Sequence, residues 1–496
     1  MSDYSLNSSL KKIDNDVREE ILQILNKEDI WIKNSLPAIE RLGWIDFNNV
    51  IESSLNDCSS VLKEIKSDFI IFIGMGGSIQ TGKVIKELNN SKKILFIDST
   101  HPLEVKKIYK KIILEKCTFI IMSKSGSTLE TEKVMNFYIN QMKINNIRNF
   151  EKKFIAITDK GTKLEKFALK SNFLKVITTP ENIGGRFSSS TAFGVMPFLL
   201  ASEKNIEKYE FDMDEIIKKS SILSACLIHE IEKNSFNKIC FKISNNLSQL
   251  GVWLEQLISE SSGKGNKGVT PIISNLKDKN SEIKICNIRN EDEILLNIRI
   301  NNEDILKDMF IWQIAISFIC KRIKVFPFDE PDVQSAKLNT MNLLKSKKDI
   351  HLEAMQIENQ SFSEIIKNNL NNEILYINLY LSETENLNRE LQKFKLKIKE
   401  NKNISSISGY GPRYLHSVGQ LQKGGPKNIW SIFIYDKEEF GSINEDKEYD
   451  ELKKIFKAQL IGDFFALKDK GINTYLLNID TKLSNPFDNF IKQIKE

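Results

Sequence analysis

Histidine is scarce in this chain. The four in 496 residues, at positions 101, 229, 351 and 416, form no H-x-H or H-x-x-x-H spacing, which argues against a histidine-built metal centre. The six cysteines, at 58, 117, 226, 240, 286 and 320, form no C-x-x-C pair, and four of them sit within apolar runs. That excludes a disulfide framework and a metal–thiolate site, and it fits a reducing compartment. No apolar run approaches the roughly 18 residues that a membrane span needs. The first twenty residues are polar and acidic, with no apolar stretch behind a basic start, so they do not read as a signal peptide. Charge of one sign is not in excess either. With 71 basic and 66 acidic side chains the net charge is +5, enough to favour an anionic metabolite but too little to indicate nucleic acid. The lysine-rich stretches Lys345–Lys348 and Lys393–Lys402 read as solvated faces. A metal-free cytoplasmic protein is expected, with no bound cofactor, no nucleic-acid partner and no membrane association.

The chain contains 41% hydrophobic and 28% charged residues, an ordinary globular balance. Residues 10–65 carry apolar side chains at helical spacing, as in Ile21, Leu22, Ile24 and Leu25. The rhythm then shifts to short, β-branched or aromatic runs: Phe69–Ile73, Ile94–Ile97, Phe119–Met122, Phe154–Ile157 and Leu174–Ile177. Helical patterns such as Ser78–Leu88 and Thr128–Met142 separate them. This alternation predicts about five parallel strands covered by helices. A second series follows, with a long helix over Met213–Asn234 and strands at Ile239–Ile243, Val269–Ile273, Ile283–Asn287 and Ile294–Ile298. Helices are predicted near Leu247–Glu260, Glu303–Lys321 and Pro331–Leu344, giving a second α/β domain of similar design. A third set has strands at Ile374–Leu381, Ile404–Ser408, Ile429–Tyr435 and Thr474–Ile479, with helices near Thr384–Phe394 and Asp450–Asp469. The expected divisions are an N-terminal helical segment (1–65), two α/β domains (66–205 and 206–349) and a C-terminal α/β unit (350–496).

Five segments carry chemistry. Phe72-Ile-Gly74-Met-Gly76-Gly77-Ser78 ends a strand and opens a helix, so the first helical N–H groups can converge on an anion. It lacks the third glycine of a dinucleotide fingerprint and the Gly-Lys-Ser/Thr ending of a P-loop, and by itself it is equally a tight turn. Ser123-Lys-Ser125-Gly-Ser127-Thr128-Leu-Glu130-Thr131 again follows a strand. One hydroxyl suffices to cap a helix; four hydroxyls suit a phosphate monoester. In Gly184-Gly185-Arg186-Phe187-Ser188 the glycines free the backbone to aim Arg186, at an anionic intermediate, at a phosphate or into a structural ion pair. Gln256-Leu-Ile-Ser-Glu260-Ser-Ser-Gly-Lys-Gly265 sets a glutamate at a helix end beside a tight turn. The last pair is Phe328-Asp329-Glu330-Pro331-Asp332-Val333-Gln334-Ser335-Ala336-Lys337 and Gly409-Tyr-Gly411-Pro412-Arg413-Tyr414-Leu415-His416-Ser417-Val418-Gly419-Gln420-Leu421. In the first, Asp329 and Pro331 suit a helix start but leave Lys337 unexplained. In the second, His416 sits among glycines and polar groups, and a structural histidine stays open at this point.

Taken in order, GMGGS, SKSGSTLET, GGRFS, ESSGKG and FDEPDVQSAK resemble glucose-6-phosphate isomerase over about residues 70–340. The later GYGPRYLHSVGQLQKGGP resembles the form found fused behind transaldolase, here as the isomerase half standing alone. The resemblance implies two sugar-isomerase (SIS) domains of flavodoxin-like, parallel-sheet form beside the C-terminal α/β unit. It implies conversion between glucose 6-phosphate and fructose 6-phosphate through a cis-enediol, with a hexose 6-phosphate as ligand and a homodimer with shared active sites. Glu260 is then the base, and Arg186 steadies the enediolate. Ser123, Lys124, Ser125 and Thr128 hold the phosphate, while Gly77, Ser78 and Gln256 line the sugar. Lys337 and a histidine open the ring, and Glu130 orients that histidine. In the common form of the family the histidine lies between the glutamate and the lysine. Here no histidine does, and His416, in a His-x-x-x-Gln-Leu pattern, is the candidate. An isomerase that also takes mannose 6-phosphate is one alternative. A non-catalytic sugar-phosphate sensor is another, but it needs no joint set of Glu260, Arg186 and Lys337.

Overall fold

Three sheets organise the described residues. The computed structural model describes residues 2–7, 15–31, 38–202, 209, 211–234, 238–276, 278, 280–346, 361–437, 439 and 449–494. His351, Lys347 and Lys348 lie outside these residues. The chain divides into two compact units: Met1–Asp98 with Lys111–Asp329, and Ser99–Lys110 with Glu330–Glu496.

The first unit contains β1 (Asp3–Leu6), β2 (Phe69–Gly74), β3 (Ile94–Ile97), β4 (Cys117–Met122), β5 (Phe154–Asp159), β6 (Lys175–Thr179), β7 (Lys238–Ser244), β8 (Thr270–Leu276), β9 (Glu282–Cys286) and β10 (Ile294–Arg299). One sheet runs β3-β2-β4-β5-β6, and all its pairings are parallel, as the alternation of strand and helix predicts. Its central strands β2, β4 and β5 are buried almost without interruption, which is why they read as continuous apolar runs. In this order the chain reverses direction of travel beside β2, so the loops after β2 and β4 emerge side by side at the carboxyl ends, with Gly74 paired to Met122. Crevices at such places are the usual ligand sites of open parallel sheets.

The second sheet differs from the design expected of it. Its order is β1-β10-β9-β7-β8, and β7–β8 is its parallel pair; β7–β9, β9–β10 and β1–β10 are antiparallel. The reason is the length of the connections. Helix Ser248–Ser262 carries the chain from β7 to β8. Residues 277–281 and 287–293 are too few for the crossover of a dozen or more residues that parallel neighbours need. The edge strand β1 lies in a segment expected to be helical, and four residues are too short to show a period. Its anchor is tertiary: buried Ser2 donates to Asp308 Oδ2 at 2.5 Å, and Tyr4 donates to Oδ1 at 3.3 Å. Burial pushes the Asp308 carboxyl up to about 7.

Helices Gly77–Asn89 and Ser248–Ser262 cross the first unit and carry site residues at their ends. They are tied where Glu87 accepts from Ser248 Oγ at 2.5 Å and from the Gln249 N–H at 2.8 Å. A carboxylate at those first helical N–H groups also meets the positive end of the helix dipole. An aromatic cluster of Trp44, Phe187, Phe310 and Phe328 lies beneath, with ring centroids 5.0–5.8 Å apart for Trp44–Phe187, Phe187–Phe328 and Trp44–Phe310.

The second unit holds a parallel sheet, β12-β11-β13-β14, from β11 (Ile374–Tyr380), β12 (Ser405–Tyr410), β13 (Ile429–Tyr435) and β14 (Asn473–Asn478). Helix Glu385–Lys402 buries Leu387, Leu391, Phe394 and Ile398, one stripe at helical spacing, and exposes Lys393 and Lys399 as the charge run predicts. Helix Gln334–Lys345 packs on helix Asp450–Asp469 at Gly462, where an added Cβ would lie 2.5 Å from Thr340 Oγ1 and 2.8 Å from its backbone N. Gly462→Ala is therefore expected to destabilise this unit by about 1–3 kcal/mol through overpacking, read as a lower urea midpoint at unchanged slope.

Candidate active site

Gly76 has φ +54° and ends β2 in a sharp turn, after which helix Gly77–Asn89 begins. At Gly77 a Cβ would sit 2.4 Å from the Gly185 carbonyl carbon and 2.6 Å from the Arg186 N, so glycine is required where the two backbones meet. Ser78 is buried beside it in the first turn. The same approach fixes the short turn Gly185–Phe187 and with it Arg186, which is 5% exposed.

The guanidinium of Arg186 is almost fully committed. Its Nε donates to Ser261 Oγ at 3.0 Å, and Nη2 donates to the carbonyls of Pro327 at 2.5 Å and Asp329 at 3.0 Å. Its Nη1 stands 3.3 Å from Glu260 Oε1. The other carboxylate oxygen of Glu260 accepts from Gln256 Nε2 at 2.9 Å, one helical turn back. Gln256, Glu260 and Arg186 thus form one polar cluster at the carboxyl end of helix Ser248–Ser262. Of the readings open to Arg186 in the sequence, the structure shows the ion pair, and its partner is the candidate base Glu260.

Sequence reasoning missed Lys264. The turn after the helix passes through Gly265 at φ +62° and closes with a Val269 N–H to Ser262 Oγ bond of 2.9 Å. It tucks Lys264 inward, where Nζ donates to the Ser261 and Phe326 carbonyls at 2.8 Å each and lies 3.4 Å from Asp329 Oδ1. Burial, then the positive charge of Arg186, pushes its pKa down to about 8. A lysine between two glycines was the available signal, but a lysine is so often solvated that the motif alone does not turn it inward.

The loop Ser123–Thr128 follows β4. Gly126 adopts φ +62°, and any side chain there would meet Thr162 at 2.5 Å. Ser123 Oγ and Thr128 Oγ1 are 3.0 Å apart, and Ser125 Oγ receives the Ser127 hydroxyl at 3.3 Å. Four hydroxyl side chains, in two pairs, thereby stand just ahead of helix Leu129–Ile144, at the favourable end of its dipole. A cavity of about 80 Å³ lies against this loop, walled by Ser123, Thr128, Thr131, Met135 and Phe167 among others. Lys124 is turned elsewhere: its Nζ is 2.6 and 2.7 Å from the Asp159 carboxylate oxygens and donates to the Pro180 carbonyl at 2.8 Å. Burial lowers its pKa and raises that of Asp159, against their mutual attraction. Glu130 is buried on the first turn of the helix.

Lys337 and His416 belong to the second unit. Lys337 is exposed on helix Gln334–Lys345, and His416 is half-buried at the end of the turn Arg413–His416. Arg413 is held by Glu383 at 2.8 Å and Glu104 at 3.2 Å. His101 is different in kind: its Nδ1 accepts the Leu103 N–H at 3.2 Å, and its Nε2 faces Glu439 Oε2 at 3.2 Å, which is a structural role. Among the described residues no group of three or more His, Cys, Asp or Glu is placed to hold a metal, and no helix is long and apolar enough to cross a membrane.

The family model for phosphoglucose isomerase matches residues 46–276, the stretch that supplies every residue of the Arg186–Glu260 cluster except the 327–329 carbonyls. A glucose-6-phosphate isomerase from Methanocaldococcus jannaschii is 30% identical over 312 residues, covering 60% of this chain and 74% of that protein. The chain belongs to the glucose-6-phosphate isomerase family. Another glucose-6-phosphate isomerase, from Campylobacter jejuni, is 28% identical over 346 residues, with 65% of this chain and 80% of that protein covered. A crystal structure of a glucose-6-phosphate isomerase from Chlamydia trachomatis superposes with a TM-score of 0.50 at 13% identity, over 72% of this chain and 91% of that one, a likeness of fold.

Lys264 is expected to titrate near pH 8, and Arg186→Gln, which keeps donors but removes the charge, is expected to move that titration upward. NMR of the lysine side chain across pH 6–11 reads both.

Proposed function

We infer that this chain interconverts glucose 6-phosphate and fructose 6-phosphate. The observation that carries this is the 3.3 Å approach of Arg186 to Glu260, in a family-typical motif order and on the same unit as the hydroxyl-rich loop. The task is to move a proton between adjacent carbons of a sugar phosphate. A carboxylate removes the proton from one carbon and returns it to the next. The enediolate formed between those steps carries negative charge on oxygen, which a fixed guanidinium offsets without having to reorganise. Fixing the phosphate at a distance converts binding into orientation.

On this reading Glu260 is the base and Arg186 the electrostatic partner. Gln256, Gly77 and Ser78 line the sugar, and Ser123, Ser125 and Thr128 hold the phosphate. Lys124 serves the phosphate through its charge and backbone, its ammonium being shared with Asp159. Ring opening, which requires a proton donor and an acceptor, is assigned to Lys337 and His416. The GYGPRYLHSVGQLQKGGP segment supports placing the chain with the transaldolase-fused type of isomerase. A homodimer with shared active sites and a cytoplasmic location complete the proposal; the six free, buried cysteines suit a reducing compartment.

Glu260→Gln is expected to lower kcat by about 1000-fold or more while a hexose 6-phosphate still binds, checked by coupled assay and calorimetry. Turnover near the wild-type rate in that variant would falsify the assignment. His416→Ala is expected to slow reaction of ring-form substrate far more than reaction of the open-chain form. Equal losses on the two forms would remove its ring-opening role.

A further inference from the structure

The two residues assigned to ring opening sit on separate segments of the second unit, and one polar contact joins those segments. Asp332 lies in the turn Pro331–Val333 that leads directly into the Lys337 helix. Gln420 lies at the start of helix Gly419–Gly424, immediately after His416 and its short connector. The backbone N–H of Asp332 donates to Gln420 Oε1 at 2.9 Å, and Gln420 Nε2 donates back to Asp332 Oδ2 at 2.7 Å. Lys470 forms an ion pair with the other carboxylate oxygen, Asp332 Oδ1. Gln420 is fully buried.

A glutamine serving only its own helix would bond within a few residues; this one reaches back 88 positions and matches a donor and an acceptor at once. Neighbouring packing holds the same junction. A Cβ at Gly419 would lie 3.6 Å from Val333 Cγ1, so the two segments come within a side chain's reach of each other there. The far end of the short helix is fixed independently, where Lys423 Nζ stands 2.5 Å from Asp463 Oδ1 with both side chains fully buried. The Lys337 helix rests on the same long helix through Gly462.

We propose that the Asp332–Gln420 pair is a positioning device for ring opening: it sets the Lys337-bearing segment against the His416-bearing segment, and Lys470 holds the Asp332 carboxylate in the orientation the pair requires. The proposal rests on the assignment of ring opening to Lys337 and His416. A proton donor and acceptor acting on one ring must keep a fixed separation, and a displacement of about 1 Å costs up to roughly 100-fold in rate. Neither Asp332 nor Gln420 needs to touch the sugar.

Ring opening can be read apart from isomerisation, because opening and reclosing exchanges the two ring anomers of a hexose 6-phosphate. The experiment measures enzyme-driven anomer exchange by exchange NMR, isomerase kcat and KM, and binding of a five-carbon sugar-acid 5-phosphate whose carboxylate imitates the enediolate. Gln420→Leu is expected to slow anomer exchange by about 10- to 100-fold, to lower kcat with little change in KM, and to bind the sugar acid within about twofold of wild type. The double variant D332N/Q420E reverses the side-chain hydrogen bond, keeps the one from the backbone N–H of residue 332, and is expected to restore part of the exchange rate, because Lys470 loses the carboxylate at position 332. Wild-type anomer exchange in Gln420→Leu overturns the proposal. So does loss of sugar-acid binding or of the folded state together with a D332N/Q420E variant that restores nothing, since the pair would then be structural only. His416→Ala serves as the reference: unchanged anomer exchange there overturns the ring-opening assignment itself, whereas loss there with none in Gln420→Leu overturns the positioning role alone.

Discussion

The contact between the Gly77 and Gly185 backbones governs the geometry of the polar cluster around Arg186 and Glu260. No side chain fits between them, so the first turn of one helix and the turn carrying Arg186 are held at backbone distance. Arg186 is then fixed by protein carbonyls and a serine hydroxyl, with one nitrogen at Glu260. A guanidinium held this way needs no rearrangement when charge develops on a substrate oxygen, and preorganisation of that kind is what electrostatic catalysis requires. Gln256 and the buried Lys264 complete the same environment. One bonds the carboxylate, and the other adds positive charge beside the arginine without presenting a mobile side chain.

The second unit relies on buried polar contacts of a different sort. Its sheet is parallel, and the segments at its periphery are fastened by Asp332–Gln420, by Arg413 with Glu383 and Glu104, and by the enclosed Lys423–Asp463 pair. Burial pushes Lys423 down to about 7 and Asp463 up, so this pair is held in a setting where separated charges are costly. Such contacts specify one arrangement more sharply than apolar packing does, which suits segments whose relative placement matters more than their contribution to stability.

Much of the fold was legible because its strands and helices have distinct periods. Ile94–Ile97, Ile429–Tyr435 and Asp450–Asp469 agree to the residue with the elements observed, and the other predicted strands differ mainly at their ends. The second sheet was less legible. Its strands are legible, but their direction depends on connection length, and residues 277–281 and 287–293 are too short for crossovers. Strand β1 escaped because four residues carry no usable period and its place is set by Asp308, far along the chain.

At the candidate site, glycine and hydroxyl patterns identified the loops, since a sharp turn into a helix and a cluster of serines are properties of local sequence. The phosphate-type loop, the Gly-Gly-Arg turn and the Ser-Gly-Lys-Gly turn could all be named from spacing. The partners of each charged side chain could not. That Lys124 faces Asp159, that Lys264 turns inward and that Gln420 reaches Asp332 are consequences of which segments the sheets and helices bring together. Sequence determined the elements, the loops and the chemistry those loops can offer, because these depend on residues near one another along the chain. Tertiary structure alone decided the pairing of charges, because attraction and desolvation act between groups that only folding makes neighbours.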